Sequence, residues 1–520
     1  MSKGDLLLAI DCGTQSLKAM ALDGQGSLQG LVRIPFDPPF RSQRPGWAEQ
    51  DPLLYWDSLC RATNGLFSGV GVPRERIAGV SLTSQRGTVV NLDRRGNPLR
   101  PAILWLDQRK ASRVDPIGGW WGLLFKLAGL SGTVTYIQKE AEANWVLANE
   151  PEIWRNTHKY LLLSGYLHFK LTDLFVDSVG CQVGYIPFDY KRLRWARSWD
   201  WKWKLPIRPE MLPELVPPGR QLGEISQRAA AETRIPAGTP VIAAAADKAC
   251  EVLGSGGMSP SVGCISYGTT ATINVTHHKY LEPIALIPAY PAAIPGSHSL
   301  EVQIFRGYWM VSWFKRELGQ AEQARARELG REAEALLEEL ASEVPPGSLG
   351  LVLQPYWTPG IRMPGPEARG CIVGFGDSHS KGHIYRSILE GIGYALREGK
   401  ERIEAKTKIP IRELRVSGGG SRSQLAMQIT ADIFGLPASR PHLWEASGLG
   451  AAICCSVGLG FFSSYQEAMN SMTRIQERFE PNPDNHELYS SLYCRVYRKL
   501  YSRLEPLYRE LQQITGYPPR

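Results

Sequence analysis

Nothing in this 520-residue chain assembles a disulfide frame or a metal–thiolate site. Its nine cysteines are odd in number and scattered, with one vicinal pair, Cys454-Cys455, and no C-x-x-C. That usage points to reduced thiols in a cytoplasmic protein. No run of five or six like charges occurs, and a formal charge of +8 is modest for this length, so nucleic acid is not implied as a partner. Long apolar runs are missing as well. Lys3 and Asp5 flank too short an apolar stretch for a signal peptide. The uncharged stretch Ser447 to Tyr465 has the length to reach across a bilayer, but its glycines and serines fit a tightly packed interior helix, and no membrane association is expected. The Walker motif G-x-x-x-x-G-K-[ST] and the protein-kinase signatures are absent, which excludes those two routes to a bound triphosphate.

What is present is an ordinary globular composition, 43% hydrophobic and 21% charged, in a chain long enough for two domains. The first pattern is a strand, Leu6 to Ile10, running into Asp11-Cys12-Gly13-Thr14-Gln15-Ser16 and on to a second strand, Leu17 to Leu22. Dinucleotide loops lead from a strand into a helix, whereas this one leads from strand to strand. The pattern returns at Gly263 to Thr276, where Gly268-Thr269-Thr270 follows a short strand. Gly13 and Gly268 lie 255 residues apart, close to half the chain. A duplicated pair of lobes would give this spacing, and so would chance similarity between short Gly-Thr turns.

Further strands are predicted at Ile77 to Leu82, Thr88 to Leu92 and Pro240 to Ala246. Gly319 to Val344 reads as one long solvated helix. Ile384, Ile388, Ile392 and Leu396 mark an amphipathic helix whose start carries His379 and His383, with no acidic or cysteine partner for a metal nearby. The aromatic segment Arg194 to Pro206 reads as a packed surface hairpin or loop.

Glycine lets backbone N–H groups approach a phosphate, and neighbouring hydroxyls add donors. Two such hairpins facing each other could hold one triphosphate between two lobes. Asp11 would then offer a hard oxygen to Mg²⁺, and Lys18 could reach a transferred phosphoryl group. Asp247, after a strand of Val and Ala, reads either as a general base facing a cleft or as the N-cap of a helix from Lys248 to Leu253.

DCGTQSLK resembles the first phosphate loop of the sugar-kinase, actin and heat-shock ATPase superfamily. Five further stretches, in order, resemble segments of the FGGY carbohydrate kinases. They are Gly46 to Leu59 and Thr83 to Arg109 on the substrate side, Ser266 to Ile273 as a second phosphate loop, Gly370 to Glu390 as a C-terminal signature with Phe375 off pattern, and Ser417 to Gly435 with Glu445 to Ala452 as an adenosine motif. The resemblance covers about residues 5 to 460. It implies an α/β fold of two actin-like (ribonuclease H-like) lobes, each a mixed sheet with flanking helices around a central cleft, divided as 1–250 and 251–520. It implies in-line transfer of the ATP γ-phosphate to a hydroxyl of a small polyol or ketose, with Asp247 as base. By position, Asp11 would organise Mg²⁺. Gly13, Thr14, Gln15, Ser16, Lys18, Gly268, Thr269 and Thr270 would hold phosphates. Gly418, Gly419 and Ser423 would sit against adenosine. Gln85, Arg86 and Trp105 would contact the acceptor. An actin-like ATPase, or a non-catalytic regulator of the same fold, is the competing reading. The one macromolecular partner kept open is a second copy of the chain in a homodimer.

Four departures from the family pattern concern the acceptor side. Alanines precede Asp247 where glycines are usual, and Lys248 follows it, which would lower the carboxylate pKa unless the ammonium points away. Gly87 stands where glycerol kinases carry an acid. Gln85-Arg86-Gly87-Thr88 replaces the xylulokinase Q-M-H-G. Glu142, not lysine, stands three residues before Trp145.

Overall fold

The computed structural model describes residues 5–358, 360 and 364–517. Its frame is two sheets. In the first half of the chain the strands are β1 (Leu6–Cys12), β2 (Ser16–Leu22), β3 (Leu28–Pro35), β4 (Ile77–Ser84), β5 (Gln221–Glu224) and β6 (Pro240–Ala243). They lie in the order β5-β6-β4-β1-β2-β3. The β1–β2–β3 meander is antiparallel, β4 and β6 run parallel to β1, and β5 closes the edge antiparallel. β1 is buried along its whole length, so its sequence is a continuous apolar run rather than an alternation.

The second half repeats the plan. β7 (Val262–Tyr267), β8 (Ala271–His277), β9 (Tyr290–Pro291), β10 (His298–Ile304), β11 (Glu413–Ser417), β12 (Ala438–Pro441) and β13 (Ile475–Phe479) form a sheet ordered β9-β10-β8-β7-β11-β12-β13. Again a hairpin meander, β7–β8–β10, continues into strands parallel to its first member, β11 and β12. The repeat inferred from two short Gly-Thr turns is thus a repeat of sheet topology.

Two helices join the halves. The first, Asp247–Gly254, follows β6. The second, Ala446–Gly458, is the interior helix expected within Ser447 to Tyr465. A Cβ on Gly450 would lie 1.9 Å from the Cys250 carbonyl oxygen, and one on Gly254 would lie 2.0 Å from that of Ala446, so the helices touch backbone to backbone at their glycines. Leu449, Ile453 and Cys454 of the second-half helix are buried with Leu7, Ala9, Met20 and Leu22 of the first sheet. The uncharged composition of this stretch serves close helix packing, and no helix among the described residues is long and apolar enough to cross a membrane.

Gly319 to Val344 differs from expectation. It is two helices, Gln320–Leu329 and Ala333–Ser342, broken at Gly330, whose φ of 62° caps the first in the left-handed region. The helix Lys381–Thr407 buries Ile388, Ile392 and Leu396 against Ile273 and Val302 of the second sheet. At its start the His379 and His383 ring nitrogens accept from the backbone N–H groups of Gly376 and Ser380 (2.9 and 3.1 Å). The segment from Arg194 begins as the second arm of a hairpin, Phe188–Asp189 with Arg194–Trp195.

Candidate active site

The carboxyl ends of β1, β4 and β6 lie side by side and deliver the first group of site residues. β1 pairs in parallel with β4 through Asp11↔Thr83 and Cys12↔Ser84, and β6 pairs with β4 through Ala243↔Leu82. Beyond the last pair the chains stay adjacent, with the Thr83 hydroxyl donating to the Ala245 carbonyl at 2.8 Å. That register brings Asp11, Gln85–Arg86 and Asp247 to one edge, the place where open α/β sheets accept ligands. Asp11 is the last residue but one of its strand rather than beyond it, because β1 runs to Cys12.

The alanines before Asp247 have a structural counterpart. A Cβ on Gly180 would come within 2.6 Å of the Ala245 Cβ, and the two residues form an isolated parallel bridge. The room that glycines would leave on one strand is left here by Gly180 on the other. Asp247 opens its helix without capping it, its Oδ1 accepting only from the Lys248 N–H at 2.8 Å. The Lys248 ammonium turns to Glu251 (2.7 Å) and the Ser266 hydroxyl (2.6 Å). Burial raises the Asp247 pKa, outweighing the opposing pull of Arg86 and Lys248, so the depressed value that a neighbouring lysine suggested does not arise.

Between the halves lies a cleft of about 270 Å³, lined by Asp11, Lys18, Lys248, Gly268, Gly418 and Arg422, among others. Asp11, the residue expected to organise Mg²⁺, lines it, and so do Lys18, Gly268, Gly418 and Gly419 of the predicted phosphate and adenosine residues. Gly418, at φ 82°, lies where a Cβ would be 2.8 Å from the Tyr267 carbonyl, so no other residue fits. Lys18 pairs with Asp11 at 3.6 Å and with Glu445 of the other half. Burial, the largest effect, raises the Asp11 pKa to about 6 although Lys18 pulls it down.

The remaining predicted residues are placed differently. Thr14 donates to Gln85 Oε1 (3.1 Å) and accepts from the Trp105 indole (2.9 Å), which joins the first phosphate turn to the acceptor segment. Ser16 is buried and accepts from Arg33 (3.0 Å). The carbonyl of Gln15 accepts from the Phe36 N–H, and that of Ser16 from the Gly13 N–H. Thr269 is exposed and Thr270 buried in the second turn. The Ser423 hydroxyl caps the helix Gln424–Phe434 by accepting from the Ala426 N–H at 3.0 Å.

Several residues of the site carry no sequence signal of their own. Arg86 forms a two-pronged ion pair with Glu301 of β10 (3.2 and 3.0 Å) and lies over the Tyr290 ring at 5.0 Å. Glu251 accepts from Ser266 and Ser417 (2.8 Å each), and Trp444 lies beside Arg422 at 5.2 Å. The pairings of Arg86 with Glu301 and of Glu251 with Ser417 span 215 and 166 residues. The segments Gly46 to Leu59 and Thr83 to Arg109 meet where the Arg109 guanidinium lies 4.0 Å from the Trp47 ring and 4.5 Å from that of Trp145, held by Glu49 and Asp107. Glu142 opens the neighbouring helix, and burial raises its pKa to about 8.

Two sheets of the same topology around a cleft lined by Asp11 and Lys18 of the first hairpin and Gly268 of the second define a two-lobed actin-like fold. The model of the N-terminal domain of the FGGY family of carbohydrate kinases matches residues 6–254, and that of its C-terminal domain matches residues 263–459. The chain therefore belongs to the FGGY family of carbohydrate kinases. An uncharacterized sugar kinase of Escherichia coli (strain K12), YgcE, is 31% identical over 518 residues, covering 98% of this chain and 96% of its own. A xylulose kinase of Staphylococcus epidermidis is 26% identical over 516 residues, covering 98% of this chain and 99% of its own. The crystal structure of xylulose kinase from Rhodospirillum rubrum superposes with a TM-score of 0.79 at 25% identity, covering 97% of this chain and all of that one.

Proposed function

We propose that this carbohydrate kinase transfers the γ-phosphate of ATP to a hydroxyl of a small polyol or ketose, with Asp247 as general base. The observation that carries the reading is the convergence of Asp11, Arg86 and Asp247 at the carboxyl ends of three adjacent parallel strands, with Asp11 and Lys248, next to Asp247, lining the cleft together with Gly268 and Gly418. A carboxylate with a raised pKa is better matched to taking a proton from an alcohol near neutral pH. Lys248, directed at Ser266 beside Gly268, and Lys18 offer ammonium N–H donors at the cleft to the oxygens of a transferring phosphoryl group, which would share them with Glu251 and with Asp11 and Glu445. Closing the lobes over both substrates would keep water from competing with the alcohol.

A divalent cation fits the residues present. Asp11 is a buried carboxylate whose charge Lys18 only partly offsets, and it would be the residue to hold Mg²⁺, directly or through water. When bound, the cation neutralises phosphate charge. We place the lobe boundary near residues 250 and 251, and the enzyme in the cytoplasm.

The test is ADP release from ATP with and without a panel of polyols and ketoses, followed by Asp247→Asn. Strong stimulation by one class of acceptor is expected. The variant should lose at least about a thousandfold in turnover while binding ADP within a few-fold of wild type. Turnover that ignores every acceptor would assign an ATPase, and near-normal turnover by the variant would remove Asp247 as base.

A further inference from the structure

Arg86 is the one cation among the predicted acceptor contacts, and the structure spends its charge inside the protein. Both terminal nitrogens meet the Glu301 carboxylate, at 3.2 and 3.0 Å, and the guanidinium lies over the Tyr290 ring. Both partners are well shielded, with side-chain exposures of 17% for Arg86 and 4% for Glu301. Glu301 comes from β10, so the pair ties the second sheet to the edge that bears Asp247. A bidentate pair of this kind fixes the guanidinium plane and leaves its other N–H groups as neutral-type donors. The next cation, Lys248, is itself consumed by Glu251. Around the acceptor edge, the charges of Arg86 and Glu301 cancel, those of Lys248 and Glu251 cancel, Lys18 faces both Asp11 and Glu445, and Asp247 remains without a paired cation among the described residues.

We propose that Glu301, by neutralising Arg86 from the opposite lobe, restricts the acceptor to uncharged polyhydroxy compounds and excludes aldonic acids of the same length. An uncharged alcohol can accept from the free N–H groups of Arg86 and donate to the outward lone pairs of Glu301. A carboxylate would have to displace Glu301 from a shielded ion pair, leaving that acid without a partner, and would meet the remaining negative charge of Asp247. The position that Gly87 leaves without an acid is supplied by a residue more than two hundred positions away. The inference rests on the kinase reading above.

The experiment pairs each uncharged acceptor with its acid: glycerol with glycerate, xylitol with xylonate, glucitol with gluconate. It measures kcat/KM for each with wild type, Glu301→Gln and Glu301→Ala, alongside melting temperature and ADP binding. Wild type should favour the uncharged member of any accepted pair by at least about a hundredfold. Glu301→Gln, which keeps the shape and frees the charge of Arg86, should shift that ratio at least about tenfold toward the acid, with ADP binding unchanged. Efficient use of an acid by wild type overturns the proposal and leaves the kinase reading standing. An unchanged ratio in folded variants does the same. If the Gln and Ala variants fail to fold, the wild-type ratio alone decides. ADP release that no acceptor stimulates overturns the kinase reading, and the inference with it.

Discussion

The two glycine turns occupy the same place in the same sheet plan, yet they are built differently. In the first, four residues separate the paired Cys12 and Leu17, and the rung before that pair sets Asp11 against Lys18. In the second, three residues separate Tyr267 and Ala271, and the last rungs are uncharged, with Ser266 facing Thr272. The first turn is tied down by side chains, since the Thr14 hydroxyl is engaged by both Gln85 and Trp105. Each turn is also completed by the other half of the chain. Lys18 finds Glu445, and Ser266 finds Lys248 and Glu251. The lesson is that a duplicated fold can give up its symmetry of charge. One copy carries its ions on the hairpin, and the other borrows them from the joining helix.

The sharpest way to break this comparison is Asp11→Asn, which strips the acid from the first hairpin and leaves Lys18 to Glu445 alone. We expect turnover to fall by about a hundredfold or more, whereas Ser266→Ala costs only a few-fold. Acidity separates the two as well. With a pKa of about 6, Asp11 gains a proton as pH drops below that value, and kcat/KM for MgATP should fall more steeply in wild type than in Asp11→Asn, where Asp247 still titrates. Stability has the opposite sign. Folding raises this pKa, so the ionised group costs stability above pH 6 and the cost disappears as pH falls toward 4. Asp11→Asn should therefore melt higher than wild type at pH 7 and equal to it at pH 4.

Next in size is Glu251→Ala, which strips the borrowed charge from the second hairpin. It leaves Lys248, Ser266 and Ser417 without their shared acceptor and should cost about 3 kcal/mol in denaturant unfolding. Gly450→Ala should cost about 2 kcal/mol, because its methyl group would overlap the Cys250 carbonyl where the joining helices touch. The smallest effect should sharpen the difference in tethering. Thr14→Val, which cuts the link to Gln85 and Trp105, should raise the acceptor KM by about tenfold. Thr269→Val, in the open turn, should act on the ATP KM and leave the acceptor KM alone.

The first strand was legible because burial leaves a continuous apolar run, Leu6 to Ile10, and such a run does not depend on what packs beside it. The site residues carried by turns were legible for a related reason: glycine and hydroxyl residues cluster where the backbone must approach something closely. Gly319 to Val344 was misread as one helix because its composition favours helix throughout, and a single glycine in the left-handed region decides the break. Glu301, Glu251 and Tyr290 were not legible at all. Each is an unremarkable residue within a strand or helix, and its significance comes only from the residue opposite.

The sequence by itself determined the local elements, the pair of glycine turns and the carboxylates that end the first-half strands, since these follow from neighbours a few positions apart. Tertiary structure alone decided the charge state of the site. Whether burial raises the Asp247 carboxyl depends on packing around its helix, while the acid that Lys18 faces and what Arg86 is free to bind depend on Glu445 and Glu301 brought in from the other half, where burial and distance set the electrostatic balance.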